Sequence, residues 1–389
     1  MMTRLIQTPK YLALTFLFIA QLSQAGDLEE AIARITSVGT EGLNNEAASR
    51  GYAELVQSGE EAIVPILSAM KSASPVAANW LRAAVEAIVD NTLAHDGSLP
   101  TANIGDFLLD TRQSPQARRL AFELIAQTDP NAASALVAGF LNDPATELKY
   151  DAVEQLLDQG LALKEADKAQ AASIVFRQAL NAARDVTQVQ SLATHLRELG
   201  RTVDLPTHFG FLMDWNVIGP FDNTDREGFQ AIFSPETDGF KATASYAGKE
   251  GDVQWQTHST KDDFGMLDMN EPYGMLKEVT GFAYTTFESS EARSAQIRLG
   301  CKNAWKIWLN GDFVFGRDEY HRGMRVDQYT LPIELKKGTN GILVKVCQNE
   351  QTQDWTKEWC FQLRICDETG AAILSTDRKT RKPDGVASL

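Results

Sequence analysis

The run Ala304-Trp305-Lys306-Ile307-Trp308-Leu309-Asn310-Gly311-Asp312-Phe313-Val314-Phe315 decides how the second half of the chain folds. Asn310-Gly311 separates two runs of aromatic and β-branched residues, the strongest short-range sequence signal for a β-hairpin. Trp305, Ile307 and Leu309 alternate with Lys306 and Trp308, so one face enters a core while the other meets a neighbour or solvent. Downstream, Asp327 to Leu335 and Gly341 to Cys347 flank Lys336-Lys337-Gly338-Thr339-Asn340 and read as a second strand-turn-strand.

Working outward, Met213 to Gly219 reads as a first strand, ended by Gly219-Pro220. Further strands are expected at Thr243 to Tyr246, Val253 to His258, Phe264 to Met269, Val279 to Glu288 and Arg293 to Leu299. Glu358 to Cys366 and Ala371 to Leu374 close the series. Many short strands separated by polar turns point to a two-sheet sandwich of jelly-roll type. At these alternating positions Trp215, Trp305, Trp308 and Trp359 belong in a core, whereas Trp355 falls in a loop.

Upstream of Gly200 the period is helical. Ser74-Pro75, Ser114-Pro115 and Asp143-Pro144 each place a capping side chain before a proline at a first helical position, where the missing N–H costs nothing. The amphipathic helices that follow are irregularly spaced, which fits stacked helix pairs, and their exposed residues show no evident aromatic or charged stripe. Gly200 to Pro206 reads as the linker, because the period changes from 3.6 to 2 after it.

Arg4 and Lys10, the apolar run Tyr11 to Ala20 and the small residues Ser23-Gln24-Ala25 have the make-up of a cleaved secretory signal, too short to span a membrane comfortably. The expected layout is therefore a signal over 1–25, a helical repeat domain over 26–200, a linker over 201–206, a sandwich over 207–378 and a disordered tail over 379–389. That implies a secreted or periplasmic protein with no membrane span after signal cleavage. Its 389 residues carry a formal charge of −15, which disfavours nucleic acid as a partner. Cys301, Cys347, Cys360 and Cys366 all lie in the β region; none is paired as C-x2-C, so a disulfide or buried thiols are expected ahead of zinc.

Two sets of residues resemble a known grouping. Trp308-Leu309-Asn310-Gly311, then Leu335 to Asn340 followed by Leu343-Val344-Lys345-Val346, resembles galactose-binding-like β-sandwiches, the jelly rolls of carbohydrate-binding modules and glycoside hydrolase accessory domains. There the pattern builds two adjacent hairpins. Trp215 to Asn223, with Val346 to Gln351 leading to Trp359 and Arg364, is similar to secreted bacterial proteins that join HEAT-like helical repeats to such a sandwich. The resemblance implies an N-terminal HEAT-like α-solenoid followed by a C-terminal galactose-binding-like jelly roll, and by analogy glycan binding.

A sugar site needs an aromatic plane for pyranose C–H groups and amides or charged groups for the hydroxyls. Two loops offer both: Tyr320, His321, Arg322 and Arg325 in one, Gln348, Asn349 and Trp355 in the other. The plainer reading has them as solvated loops with Arg322 or Arg325 paired to Asp327. Asp222, Asn223, Asp225 and Glu227 form an oxygen-rich set for a structural Ca²⁺, although an Asx-turn explains the same residues. No G-x-S-x-G, H-E-x-x-H, C-x-x-C, P-loop or dinucleotide fingerprint is present. The expectation is a non-enzymatic glycan-binding protein with the helical domain as scaffold. The alternatives are a protein-interaction scaffold that captures its partner on the solenoid while the sandwich is structural, and, less favoured, a glycoside hydrolase or other hydrolase.

Overall fold

The structure, a computed structural model, describes residues 26–379. The expected signal and residues 380–389 of the expected tail lie outside the described residues. The chain divides into two compact units between Gln155 and Leu156, earlier than the change of period at Gly200.

The first unit is helical: α1 (26–36), α2 (Asn45–Gln57), α3 (Ile63–Ala69), α4 (Pro75–Ala94), α5 (Thr101–Leu109), α6 (Pro115–Thr128), α7 (Pro130–Val137) and the start of α8 (Thr146–Glu165). Ile63, Leu81, Ile88, Leu108, Leu120 and Leu148 are among the residues of its main apolar core. Ser74 caps α4 as expected, accepting from the Ala77 N–H at 3.2 Å. Ser114 precedes Pro115 at the start of α6 without a side-chain cap bond. Asp143-Pro144 does not open a helix as expected, because α8 begins at Thr146; the buried Asp143 carboxylate instead takes two guanidinium nitrogens of Arg118 at 2.7 and 2.5 Å and the Ala145 N–H at 2.8 Å. Asp129-Pro130 opens α7 by the same chemistry as Ser74-Pro75, with Asp129 accepting from the Ala132 N–H at 3.0 Å. The exposed face does carry a charged stripe. Arg82 on α4 reaches Glu123 on α6 at 2.8 Å, Arg119 reaches Glu123 at 3.0 Å, and Arg119 also pairs with Asp151 on α8.

The second unit holds α9 (Ala169–Ala182), α10 (Val186–Glu198), the short α11 (Leu205–Phe209) and all the strands. Its helices are tied to the β region by the ion pair of Arg197 with Asp263 at 2.8 Å and by Arg364, which donates to the Phe209 carbonyl at 3.0 Å. The strands are β1 (Asp214–Asp222), β2 (Ser245–Ala247), β3 (Asp252–Gln254), β4 (Gln256–Ser259), β5 (Leu267–Asp268), β6 (Val279–Ser289), β7 (Arg293–Cys301), β8 (Ala304–Leu309), β9 (Asp312–Arg317), β10 (Tyr329–Leu335), β11 (Gly338–Gln348) and β12 (Cys360–Cys366). They form a six-stranded sheet in the order β4-β1-β6-β11-β8-β9, a four-stranded sheet in the order β10-β7-β12-β5, and the β2-β3 ribbon. Every pairing is antiparallel.

The two large sheets share one core, to which the six-stranded sheet sends Val217, Trp305, Ile307 and Val344 and the four-stranded sheet sends Ile297, Leu299, Leu363 and Ile365. A second apolar cluster, with Ile218, Trp255, Phe282, Trp308 and Leu343, covers the opposite face of the six-stranded sheet. Burial on both faces is why β11 reads as a nearly unbroken apolar run. Its one cation, Lys345, is fully buried and donates to Glu236 at 2.8 Å and to the Ala231 carbonyl at 2.7 Å.

The Asn310-Gly311 hairpin forms as read, with φ of 56° and 91° at its two turn residues and Leu309 opposite Asp312. The second strand-turn-strand is not a hairpin: β10 lies in the four-stranded sheet and β11 in the six-stranded one, so the exposed turn between them carries the chain from one sheet to the other. β1 does not stop at Gly219-Pro220; it continues to Asp222 through a bulge between Ile218 and Phe221. Ala371 to Leu374 contributes a single bridge, Ala372 to Cys366, instead of a strand. The four cysteines are buried free thiols, and burial raises the pKa of each, to about 11 at Cys347 and about 12 at Cys360.

Candidate functional site

Two connections meet at one end of the second unit, the β9–β10 loop (318–328) and the β11–β12 loop (349–359). Between them is an open depression of about 440 Å³ lined by Arg226, Asp318, Tyr320, His321, Asn349, Gln351 and Trp355. Four of the seven residues expected for sugar binding, Tyr320, His321, Asn349 and Trp355, are thus brought together.

Trp355 is 60 % exposed. It is carried on a single 3-10 turn, Asp354–Thr356, whose next residue anchors it: the buried Thr356 hydroxyl lies 2.9 Å from the Gln351 carbonyl and 2.7 Å from that of Gln353. The His321 ring packs edge-on against the indole, with centroids 5.1 Å apart and planes at 84°. His321 has a left-handed backbone, φ 58°, fixed by its N–H on the Lys302 carbonyl at 2.6 Å. Partial burial, with help from the nearby Lys277 and Arg226 charges, lowers its pKa; neutral imidazole then donates from Nε2 to Asn349 Oδ1 at 3.0 Å.

Asn349 is fully buried. Its Oδ1 accepts from His321 and also from the Gln351 N–H at 3.2 Å; a backbone N–H can only donate, so the amide orientation is set. Nδ2 is left buried with no partner, and so is Gln351 Oε1. A donor and an acceptor without a protein partner thus lie buried beneath the depression, next to the exposed indole. Tyr320 forms the opposite wall, its hydroxyl accepting from Asn223 Nδ2 at 3.2 Å. Burial pushes its pKa well up, so it keeps a proton to donate.

The third wall is Arg226, centred 5.3 Å from the Tyr320 ring. It sits in left-handed conformation next to Asp225, φ 64° and 54°, and pairs in fork geometry with Glu350. Arg226 holds Glu350 well below the usual carboxylate range, at about 2. Sequence reading passed over Arg226, Asp318 and Gln351; Arg226 stands within an Asp- and Asn-rich run, and nothing local marks it as reaching Glu350, 124 residues on.

Other expected residues have different roles. Gln348 is fully buried, its Oε1 accepting from Asn303 Nδ2 at 3.1 Å and its Nε2 donating to the Thr356 carbonyl at 3.1 Å; it supports the loop from beneath. Arg322 is exposed beside Glu319 at 3.5 Å, and Arg325 is exposed outside the depression. Neither pairs with Asp327, whose carboxylate takes Arg364 at 2.6 Å and Arg298 at 2.8 Å.

The oxygen set expected for Ca²⁺ does not converge. Asp222 is in an Asx-turn with Thr224 and pairs with Lys249 at 3.0 Å. Asn223 turns inward, its Nδ2 on the Gln348 carbonyl at 2.8 Å. Among the described residues no three His, Cys, Asp or Glu side chains are grouped to hold a metal, and no helix is long and apolar enough to cross a membrane.

No family model and no curated protein matches the chain. Among solved structures it is similar to a β-glucosidase from Kluyveromyces marxianus in complex with glucose, at 13% identity over 23% of this chain and 11% of that one, TM-score 0.19. It is also similar to a family 35 carbohydrate binding module from Clostridium thermocellum, at 12% identity over 23% and 71% of the two chains, TM-score 0.16. The PA14 domain of the MpAFP antifreeze protein gives 13% identity over 44% and 88%, TM-score 0.23. The chain spans about a tenth of the β-glucosidase. With TM-scores this low, the fold described above rests on its own strand pairing and the site on its own side chains.

Proposed function

We propose that the second unit is a glycan-binding module and that its loop depression holds one neutral pyranose residue. The observation that carries this is the exposed indole of Trp355, braced edge-on by His321 and facing Tyr320, Arg226 and Asp318 across one open depression. A pyranose C–H face covers the indole, and the ring hydroxyls meet the polar side chains that line the depression, Arg226, Asp318 and Tyr320 among them. Arg226 is already neutralised by Glu350, and Asp318 lines the same space, which argues against an anionic sugar. In this reading the first unit is a HEAT-like solenoid that serves as scaffold, the second unit's sheets are a galactose-binding-like jelly roll, and the protein is exported.

A glycosidase would need a carboxylic acid with a raised pKa. Glu350, at the rim, is moved the opposite way. The protein-scaffold alternative is favoured by one feature, the Arg82–Glu123–Arg119–Asp151 stripe beside a polar depression of about 350 Å³ on the first unit.

The test is a glycan array probed with the purified protein and with Trp355→Ala. The wild type should select neutral pyranosides over uronates. Trp355→Ala should lose roughly 1–3 kcal/mol of affinity, about 5- to 150-fold in Kd, with an unchanged melting temperature. No binding by a folded wild-type sample would overturn the reading and turn the search to protein partners of the first unit.

A further inference from the structure

A second depression, of about 650 Å³, lies over the solvent-facing side of β4, β1 and β6. Register builds its floor. Asn216 stands opposite Thr257 on β4 and Tyr284 on β6, so the three side chains form one row on the same face. Thr286, two residues beyond Tyr284, projects from that face in the next row. One wall is aromatic: Phe240 stacks on Tyr284 with centroids 4.4 Å apart and planes at 6°. The other is the segment 375–379, held in place by the Thr376 N–H on the Glu288 carbonyl at 3.0 Å and by Arg378 on the Phe211 carbonyl at 2.9 Å.

The floor is rich in unused hydrogen-bonding capacity. Among the described residues the side chains of Asn216, Thr257 and Thr286 have no protein partner. The Tyr284 hydroxyl likewise bonds to nothing; it lies against Gly341, where a Cβ would come within 2.8 Å of it. Charge in the lining balances, with Asp214 and Asp377 against Arg378 and Lys379. A charged ligand has no uncompensated counter-charge to meet there, and an apolar one would strand the floor's amide and hydroxyls. A chain of neutral sugar rings satisfies all of it, laying C–H faces along Phe240 and hydroxyls on the floor.

We infer that this sheet face is a second, independent binding surface for a neutral oligosaccharide. The inference does not rest on the loop depression. With both occupied, the module would hold a polysaccharide at two points, gaining avidity where one chain can span them.

The experiment uses the full chain as wild type, Trp355→Ala, Asn216→Ala/Thr286→Ala and the triple variant, with neutral β-1,4- and α-1,4-linked glucose and mannose hexaoses as probes in solution titrations. All the substituted positions are at least partly exposed, so thermal melts should coincide. The inference expects Asn216→Ala/Thr286→Ala to weaken binding of at least one hexaose fivefold or more, and to remove what survives in Trp355→Ala. Affinities within twofold of the parent in both backgrounds overturn it, as does a wild type that binds no probe. Loss on Asn216→Ala/Thr286→Ala with none on Trp355→Ala would leave this surface standing and sink the loop site.

Discussion

Asn340 and Asn349 are both fully buried amides, and they differ in how far their hydrogen-bonding groups are satisfied. Asn340 is satisfied on every side: Oδ1 accepts from the Lys336 N–H at 3.0 Å and from Asn310 Nδ2 at 3.1 Å, while Nδ2 donates to the carbonyls of Lys336 at 2.8 Å and Gly338 at 3.0 Å. It closes the turn that carries the chain from one sheet to the other and ties that turn to the Asn310-Gly311 hairpin. Asn340→Ala deletes all four bonds and strands buried backbone groups, at a cost of about 2–4 kcal/mol. Denaturant unfolding should show it; a loss under about 1 kcal/mol would mean the turn holds without the amide. Asn349, by contrast, leaves its Nδ2 without a protein partner beneath the loop depression.

At the scale of elements, α11 makes the second unit sensitive to acid. His208 is half-buried there, with Nε2 3.2 Å from the Ala183 carbonyl just past the end of α9. Burial first, and the Arg184 charge second, lower its pKa from 6.5 to about 4. Between those values the unfolded chain takes up a proton that the folded one refuses. Stability is therefore intact above pH 6.5 and falls as pH drops toward 4, by at most about 3 kcal/mol from this group. His208→Gln keeps a donor for Ala183 but does not titrate, so its melting temperature should fall less steeply over that window. Equal slopes in the two proteins would clear His208. Much at this scale was legible in the sequence. The Asn310-Gly311 hairpin, the alternation of Trp305, Ile307 and Leu309, and the loop position of Trp355 are local signals, and each emerged as read. What was not legible is set by partners far away in sequence. Lys336 to Asn340 announces a turn but not that its flanking strands part into different sheets. Lys345 looks like an outward residue until Glu236 arrives from 109 positions upstream. Gln348 reads as a loop amide, and only the fold shows it turned inward to Asn303.

For the whole molecule, the −15 charge works against an anionic ligand, and the charge-compensated depressions fit the neutral sugar proposed above. No cross-link supports the second unit: its four cysteines are separate buried thiols, so its two sheets rely on their shared apolar core. At the loop depression the Arg226–Glu350 pair, whose side chains are 45% and 47% exposed, is a fastening between the 223–229 segment and the β11–β12 loop. An uncharged sugar should bind without regard to ionic strength, yet one wall of this site is held by a contact that salt screens. Raising sodium chloride from about 0.05 to about 0.5 M should weaken sugar binding by a few-fold at most, about 1 kcal/mol, and Arg226→Met should abolish the dependence. A response to ionic strength from a neutral ligand would be the trace of a latch that touches the wall and not the sugar.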